Sequence, residues 1–180
     1  RLHGSDVQQT YPGKNDLYWI GDKKPVQHAD PELHGFILEL WPDARFIHVV
    51  RHPCAVYQSI QAAKKNWTTV PEYWKGDDTD IFGRWLRHER WVLDAMESLG
   101  GAGFSLRYED IVARPVEELQ RCFDWLDLDI GPDVRSRIAA MLRRPNSANE
   151  PMQSMAVIEG LEDMMARYGY GLDGSVRQPD

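Results

Sequence analysis

Cysteine is scarce in this sequence: Cys54 and Cys122 are the 2 present in 180 residues. They are far apart and fit neither a CxxC nor a Cys/His ligand spacing. That argues against a disulfide framework and a zinc site and points to a reducing, cytoplasmic setting. No cluster of metal-ligand spacing occurs, so no metal is expected. Long apolar runs are also missing. No stretch reaches the eighteen or so residues that a membrane span requires, and no secretory leader is visible. The chain begins at Arg1 rather than Met, so an N-terminally truncated chain is expected, with any upstream anchor out of sight. Positive charge is in deficit: 21 Lys and Arg against 28 Asp and Glu give a formal net charge of -7. A surface of that sign disfavours nonspecific nucleic-acid binding, yet leaves room for one local basic pocket around an anion. Repeats and low-complexity tracts are absent.

What is present suits one globular domain over residues 1–180, with 42% hydrophobic and 27% charged residues. Residues 1–16 read as a loop, and Leu17-Tyr18-Trp19-Ile20 as a short strand ended by Gly21. Asp30-Pro31 has the N-cap and first-turn chemistry of a helix start; Leu33, Phe36, Ile37 and Leu40 follow at helical spacing. Arg45 to Val50 is the clearest strand, and its continuous apolar character predicts burial on both faces of a parallel sheet. His52-Pro53 then opens a helix with Val56, Ile60 and Ala63 on one face. Residues 64–78 read as an aromatic surface loop. A longer helix is expected from about Asp80 to Leu99 and a second parallel strand from Phe104 to Tyr108. Helices follow from Pro115, near Asp133 to Leu142, and up to about Tyr168, with a polar loop from Arg143 to Met152. Strand and helix alternate, which predicts an α/β domain. In such sheets ligands lie beyond the carboxyl ends of the strands, which directs attention to Lys23-Lys24, Arg51 and Tyr108.

The window from Trp41 to Ser59, WPDARFIHVVRHPCAVYQS, carries the most chemistry. An arginine ends a buried strand, a helix N-terminus follows at once, and a hydroxyl lies inside that helix. A helix start offers free N–H groups and positive potential, and a guanidinium matches phosphate oxygens with a planar fork. Arg51 and Ser59 are thus candidate phosphate ligands. The residues alone leave a second possibility open, in which Arg51 pairs with an acid and Ser59 faces a neighbouring helix.

This window resembles the 3′-phosphate-binding segment of sulfotransferases. Gly21-Asp22-Lys23-Lys24-Pro25 is similar to their G-x-K-x-P stretch. Arg107-Tyr108-Glu109-Asp110 with Pro115 is similar to their Y-E-D…P segment, and Leu126-Asp127-Leu128 to the helix end after it. Arg144-Pro145-Asn146-Ser147 resembles the loop that closes over the nucleotide, and Tyr168-Gly169-Tyr170 the end of many bacterial members. The order and spacing of these segments over residues 21–170 carry the resemblance. It implies a P-loop NTPase-like three-layer α/β fold, with a central parallel sheet flanked by helices. It implies transfer of a sulfuryl group from 3′-phosphoadenosine 5′-phosphosulfate, as co-substrate, to an acceptor hydroxyl or amine on a small molecule or polymer. By resemblance, Arg51, Ser59, Tyr108, Arg144 and Ser147 contact the nucleotide, Tyr108 at adenine. Without the resemblance, Tyr108 reads as a core tyrosine with its hydroxyl at the surface, the commoner role for a tyrosine that ends a strand.

Sulfuryl transfer, like phosphoryl transfer, is an in-line displacement governed by positioning and charge. It needs a base for the acceptor proton and a cation for the leaving oxygen. Lys24 and His28 are the candidate reaction residues, and the Trp67, Tyr73 and Trp74 loop could line an acceptor pocket. The sequence departs from the family pattern in one respect. No Gly-rich, Ser/Thr-containing phosphosulfate loop appears, since Gly13-Lys14 is isolated, so the first strand and its loop are expected to be missing. A noncatalytic nucleotide-binding or interaction domain of the same fold is the alternative. A nucleotide kinase would carry a Walker A motif, and none occurs. The acceptor and the oligomeric state are not readable.

Overall fold

The computed structural model describes residues 20–23, 30–66, 71, 74–141 and 153–177. Helix α1 spans Pro31–Leu40 and begins as its chemistry requires. Asp30 is the N-cap and its carboxylate accepts the Glu32 N–H at 3.0 Å. Strand β1 is Phe46–Val50 and helix α2 is Pro53–Asn66, which takes in Lys64, Lys65 and Asn66 from the stretch read as loop. Helix α3, Asp78–Leu99, starts on a reciprocal capping box between Asp77 and Asp80. A 3₁₀ turn at Gly100–Ala102 leads into β2, Gly103–Arg107. Helices α4, Tyr108–Ala113, and α5, Pro115–Trp125, follow, with Pro115 opening the second. Helix α6 is Pro132–Met141, and a 3₁₀ turn at Gln153–Val157 precedes α7, Leu161–Arg167. The predicted strand at 17–20 and the loop at 143–152 fall almost wholly outside the described residues.

The expected parallel pairing of the two strands is present, in the register Phe46↔Gly103 through Val50↔Arg107. Alternation along a strand sends Phe46, His48 and Val50 to one face. There the His34 ring of α1 lies 4.9 Å from Phe46, and His48 Nε2 is 3.2 Å from Glu89 of α3. Val50 joins the main core with Cys54, Phe82, Trp85, Leu86, Met155, Leu161 and Met165. On the opposite face Phe104 stacks on Trp125 of α5, ring centroids 5.2 Å apart. Helices therefore cover both faces of a parallel sheet, in the three-layer order expected.

Several sequence expectations need correction. β1 is not buried on both faces: Ile47 and Val49 remain 47% and 49% exposed, because α5 follows β2 and lies beneath that strand. In α1 the buried side chain is His34, while Phe36 and Leu40 are exposed. The middle of α3 buries a charged residue, Glu89, and α5 buries Glu118 with Cys122. Hydrophobic spacing cannot anticipate these positions, because each buried polar group is held by partners distant in sequence or one helical turn away. Glu118, for example, accepts from Arg114 at 2.9 Å and Arg121 at 2.7 Å.

The chain after α7 folds back over the strand ends as a strap, residues 168–177, closed by an antiparallel bridge between Tyr170 and Val176. Arg107 anchors it. Its guanidinium forks onto Asp110 at 2.5 and 2.8 Å and donates to the carbonyls of Tyr168 at 2.9 Å and Arg177 at 2.7 Å. Gly169 makes the wrapping possible. Its φ is +71°, and a Cβ there would lie 2.9 Å from Arg107 Nη1, a combination open to glycine alone.

Candidate functional site

The strand register decides the site. Val50 and Arg107 are the last paired residues, so Arg51 and Tyr108 leave the sheet side by side at its carboxyl edge. Arg51 Cζ lies 4.5 Å from the centroid of the Tyr108 ring, a cation–π distance. Tyr108 is the first residue of α4 rather than the last of β2, one position from the expectation. Arg51 Nε is buried and has no hydrogen-bond partner among the described residues. Among the described residues no carboxylate forms an ion pair with Arg51. The reading in which Arg51 pairs with an acid therefore finds no support in this geometry. A partly buried guanidinium with no acidic partner among the described residues is a place for an anion.

Beside it starts α2. His52 is fully buried and works as a cap, its Nδ1 accepting the Cys54 N–H at 3.2 Å. That bond leaves Nε2 to carry the hydrogen and donate to the Gly171 carbonyl at 3.2 Å. Burial holds the imidazole pKa below its ordinary value, against the opposing pull of the Gly171 carbonyl and Glu109. The ring is accordingly neutral, and it is structural in role. Ser59 lies further along α2 with an exposed side chain.

The peptide between Arg51 and His52 is gripped on both edges. Its carbonyl accepts the Trp85 indole N–H at 3.1 Å, and its N–H donates to Glu109 Oε1 at 3.0 Å. The other oxygen of Glu109 accepts the Tyr170 hydroxyl at 2.6 Å. Burial and the adjoining Glu109 carboxylate raise the Tyr170 pKa far above its ordinary value, so the phenol stays protonated and donates. A parallel link lies deeper, where Glu89 accepts the Tyr168 hydroxyl at 2.8 Å and meets His48.

Of the sequence-derived site residues, the structure brings Arg51 and Tyr108 together. Lys24, His28, Arg144 and Ser147 lie outside the described residues, as do Trp67 and Tyr73. Among the described residues, no group of three or more His, Cys, Asp or Glu side chains could hold a metal ion. No described helix is long and apolar enough to cross a membrane. A cavity of about 210 Å³ opens between the 3₁₀ turn, α7 and the strap, but Glu159, Glu162 and Asp163 line it. That charge is the wrong sign for phosphate.

Sequence reasoning missed Glu109, Trp85 and Tyr170 as members of the site. Glu109 carries one usable signal: it is the residue next to Tyr108. Trp85 carries none and Tyr170 only its place in the Tyr168-Gly169-Tyr170 segment, because chain folding brings Trp85 to Arg51 across 34 residues and Tyr170 to Glu109 across 61.

A model described as the sulfotransferase family matches residues 4–132. The chain is 27% identical over 146 residues to an omega-hydroxy-beta-dihydromenaquinone-9 sulfotransferase of Mycobacterium tuberculosis, covering 74% of this chain and 37% of that protein. Among solved structures it is similar to the sulfotransferase domain from the curacin biosynthetic pathway, with a TM-score of 0.56 at 20% identity over 72% of this chain and 44% of that one. It is similar also to a sulfotransferase of Mycobacterium avium, with a TM-score of 0.54 at 20% identity over 78% of this chain and 38% of that one. The chain thus spans less than half the length of each, and the two structural likenesses establish the fold.

Proposed function

The chain belongs to the sulfotransferase family, and we propose that it carries the nucleotide edge of an enzyme that transfers a sulfuryl group from 3′-phosphoadenosine 5′-phosphosulfate to an acceptor hydroxyl or amine. One observation carries the reading: Arg51, with its buried Nε unpartnered, lies over the Tyr108 ring at the carboxyl edge of a parallel sheet. In this reading Arg51 binds the 3′-phosphate, Ser59 adds a hydroxyl from α2, and Tyr108 lies against adenine. Arg144 and Ser147 close over the nucleotide.

The acceptor oxygen or nitrogen attacks sulfur in line. The bond from sulfur to the bridging phosphate oxygen breaks, and 3′,5′-bisphosphoadenosine departs with that electron pair. The acceptor proton passes to a base, for which His28 is the candidate. Lys24 neutralises charge growing on the bridging oxygen. The sulfuryl group carries less charge than a phosphoryl group, so the step runs without a metal. The acceptor is a small molecule or a polymer; the mycobacterial relative's name places a hydroxyl on its own.

The test is calorimetric titration of the complete gene product with 3′,5′-bisphosphoadenosine and with adenosine 5′-phosphate, which lacks the 3′-phosphate. A charge-assisted bond to phosphate contributes about 1.5–3 kcal/mol, roughly ten- to hundredfold in affinity. Arg51→Ala should lose that factor for the bisphosphate and little for the monophosphate, with Ser59→Ala showing the same pattern at smaller size. Equal losses for both nucleotides would mean that Arg51 supports the fold and does not read the phosphate.

A further inference from the structure

We infer that Glu109, held by Tyr170 of the strap, is the positioning residue that aims Arg51 at its anion. The inference rests on the reading of Arg51 as the 3′-phosphate ligand and names what sets that ligand's direction.

An arginine side chain can select one phosphate only if its backbone is fixed. Here ψ of Arg51 and φ of His52 flank the peptide plane through which Arg51 leaves the sheet, and both polar edges of that plane are held. Trp85 Nε1 donates to the carbonyl at 3.1 Å, and Glu109 Oε1 accepts the N–H at 3.0 Å. Pro53 follows immediately and confines His52 to extended backbone. Glu109 is also the covalent neighbour of Tyr108, over whose ring the guanidinium lies. One residue therefore sets the exits of both strands relative to each other.

Its second oxygen is committed to the strap. Tyr170 donates to Glu109 Oε2 at 2.6 Å, and the neighbouring Gly171 carbonyl accepts from His52. The strap thus holds the carboxylate and the helix cap at once. Tyr170 is buried, and its raised pKa keeps the donor proton in place. Order in the strap and the direction of Arg51 are linked through a single carboxylate, and such linkage is reciprocal.

The experiment reads a ratio, so that general loss of stability does not imitate the effect. Affinities for 3′,5′-bisphosphoadenosine and adenosine 5′-phosphate are measured on the complete gene product and on Arg51→Ala, Glu109→Ala, Glu109→Gln and Tyr170→Phe. Glu109→Ala should cut the preference for the 3′-phosphate by about tenfold, the order expected for one lost hydrogen bond to a charged group. Glu109→Gln keeps an acceptor for the His52 N–H and should restore most of the preference. Tyr170→Phe keeps that bond and loses the strap's hold on Glu109, so a severalfold drop is expected. It also answers the question should Glu109→Ala fail to fold. If Arg51→Ala abolishes the preference while Glu109→Ala and Tyr170→Phe leave it intact, the positioning role is wrong and the nucleotide reading stands. If Arg51→Ala itself leaves the preference unchanged, the nucleotide reading is wrong and this inference falls with it.

Discussion

Replacing Arg107 by methionine tests how the strap is held. The side chain has 11% relative exposure, against 9% for its partner Asp110. Methionine keeps much of the aliphatic volume and removes every donor. Asp110 then stays buried without its bidentate partner, and the carbonyls of Tyr168 and Arg177 lose a charged donor. Breaking a buried pair by removing one member costs about 3–5 kcal/mol. Arg114 Nη2, 3.9 Å from Asp110, can swing closer and recover part of that, which puts the expectation near the lower end, about 3 kcal/mol. For a domain of this size the corresponding fall in Tm is roughly 6–12 °C. Thermal and urea unfolding of the full protein give the number, and limited proteolysis should show cleavage between residues 168 and 177 before the rest of the chain. Adding Asp110→Asn should return about 2 kcal/mol, since the stranded charge is then gone. A loss below about 1 kcal/mol for Arg107→Met, or no recovery in the double variant, would refute the claim that this ion pair anchors the strap.

Two further measurements bear on the same edge. The His52 pKa is lowered in the fold from an ordinary value of 6.5, so the unfolded chain takes up the proton first as pH falls; its stabilisation is complete above pH 6.5 and is lost progressively below it. Tm should therefore decline as the pH is lowered from 7.5 toward 5, and His52→Asn, which can still cap α2, should flatten that decline; an unaltered slope would show that His52 is not the titrating group. At the start of α3, Asp77→Ala should cost about 1 kcal/mol by opening the capping box with Asp80, while Asp77→Ser should cost less; equal losses in urea denaturation would contradict the capping role.

Much of the fold and the centre of the site are legible in the sequence because they depend on local chemistry. Asp30-Pro31 and Pro115 start helices for reasons contained within one turn. β-branched and aromatic residues with flanking breakers mark both strands, and the alternation of strand and helix requires a crossover and hence parallel pairing. An arginine just past a strand followed by a helix start is likewise visible in a window of nineteen or so residues, and with it Arg51 as an anion ligand. The partners of that arginine are not visible. The register of β1 on β2 determines that Arg51 meets the ring of Tyr108. The packing of α3 against α2 brings the Trp85 indole to the Arg51 carbonyl, and the return of the strap brings Tyr170 to Glu109. Buried polar residues such as His52, Glu89 and Glu118 look misplaced on an apolar pattern, because hydrophobic periodicity measures the average cost of leaving water. The cost at a given position depends on which hydrogen-bond partners arrive from elsewhere in the chain. The sequence by itself determines the elements and the charge placed at the sheet edge; the tertiary structure decides which groups hold that charge still, because only folding brings residues tens of positions apart within hydrogen-bonding distance.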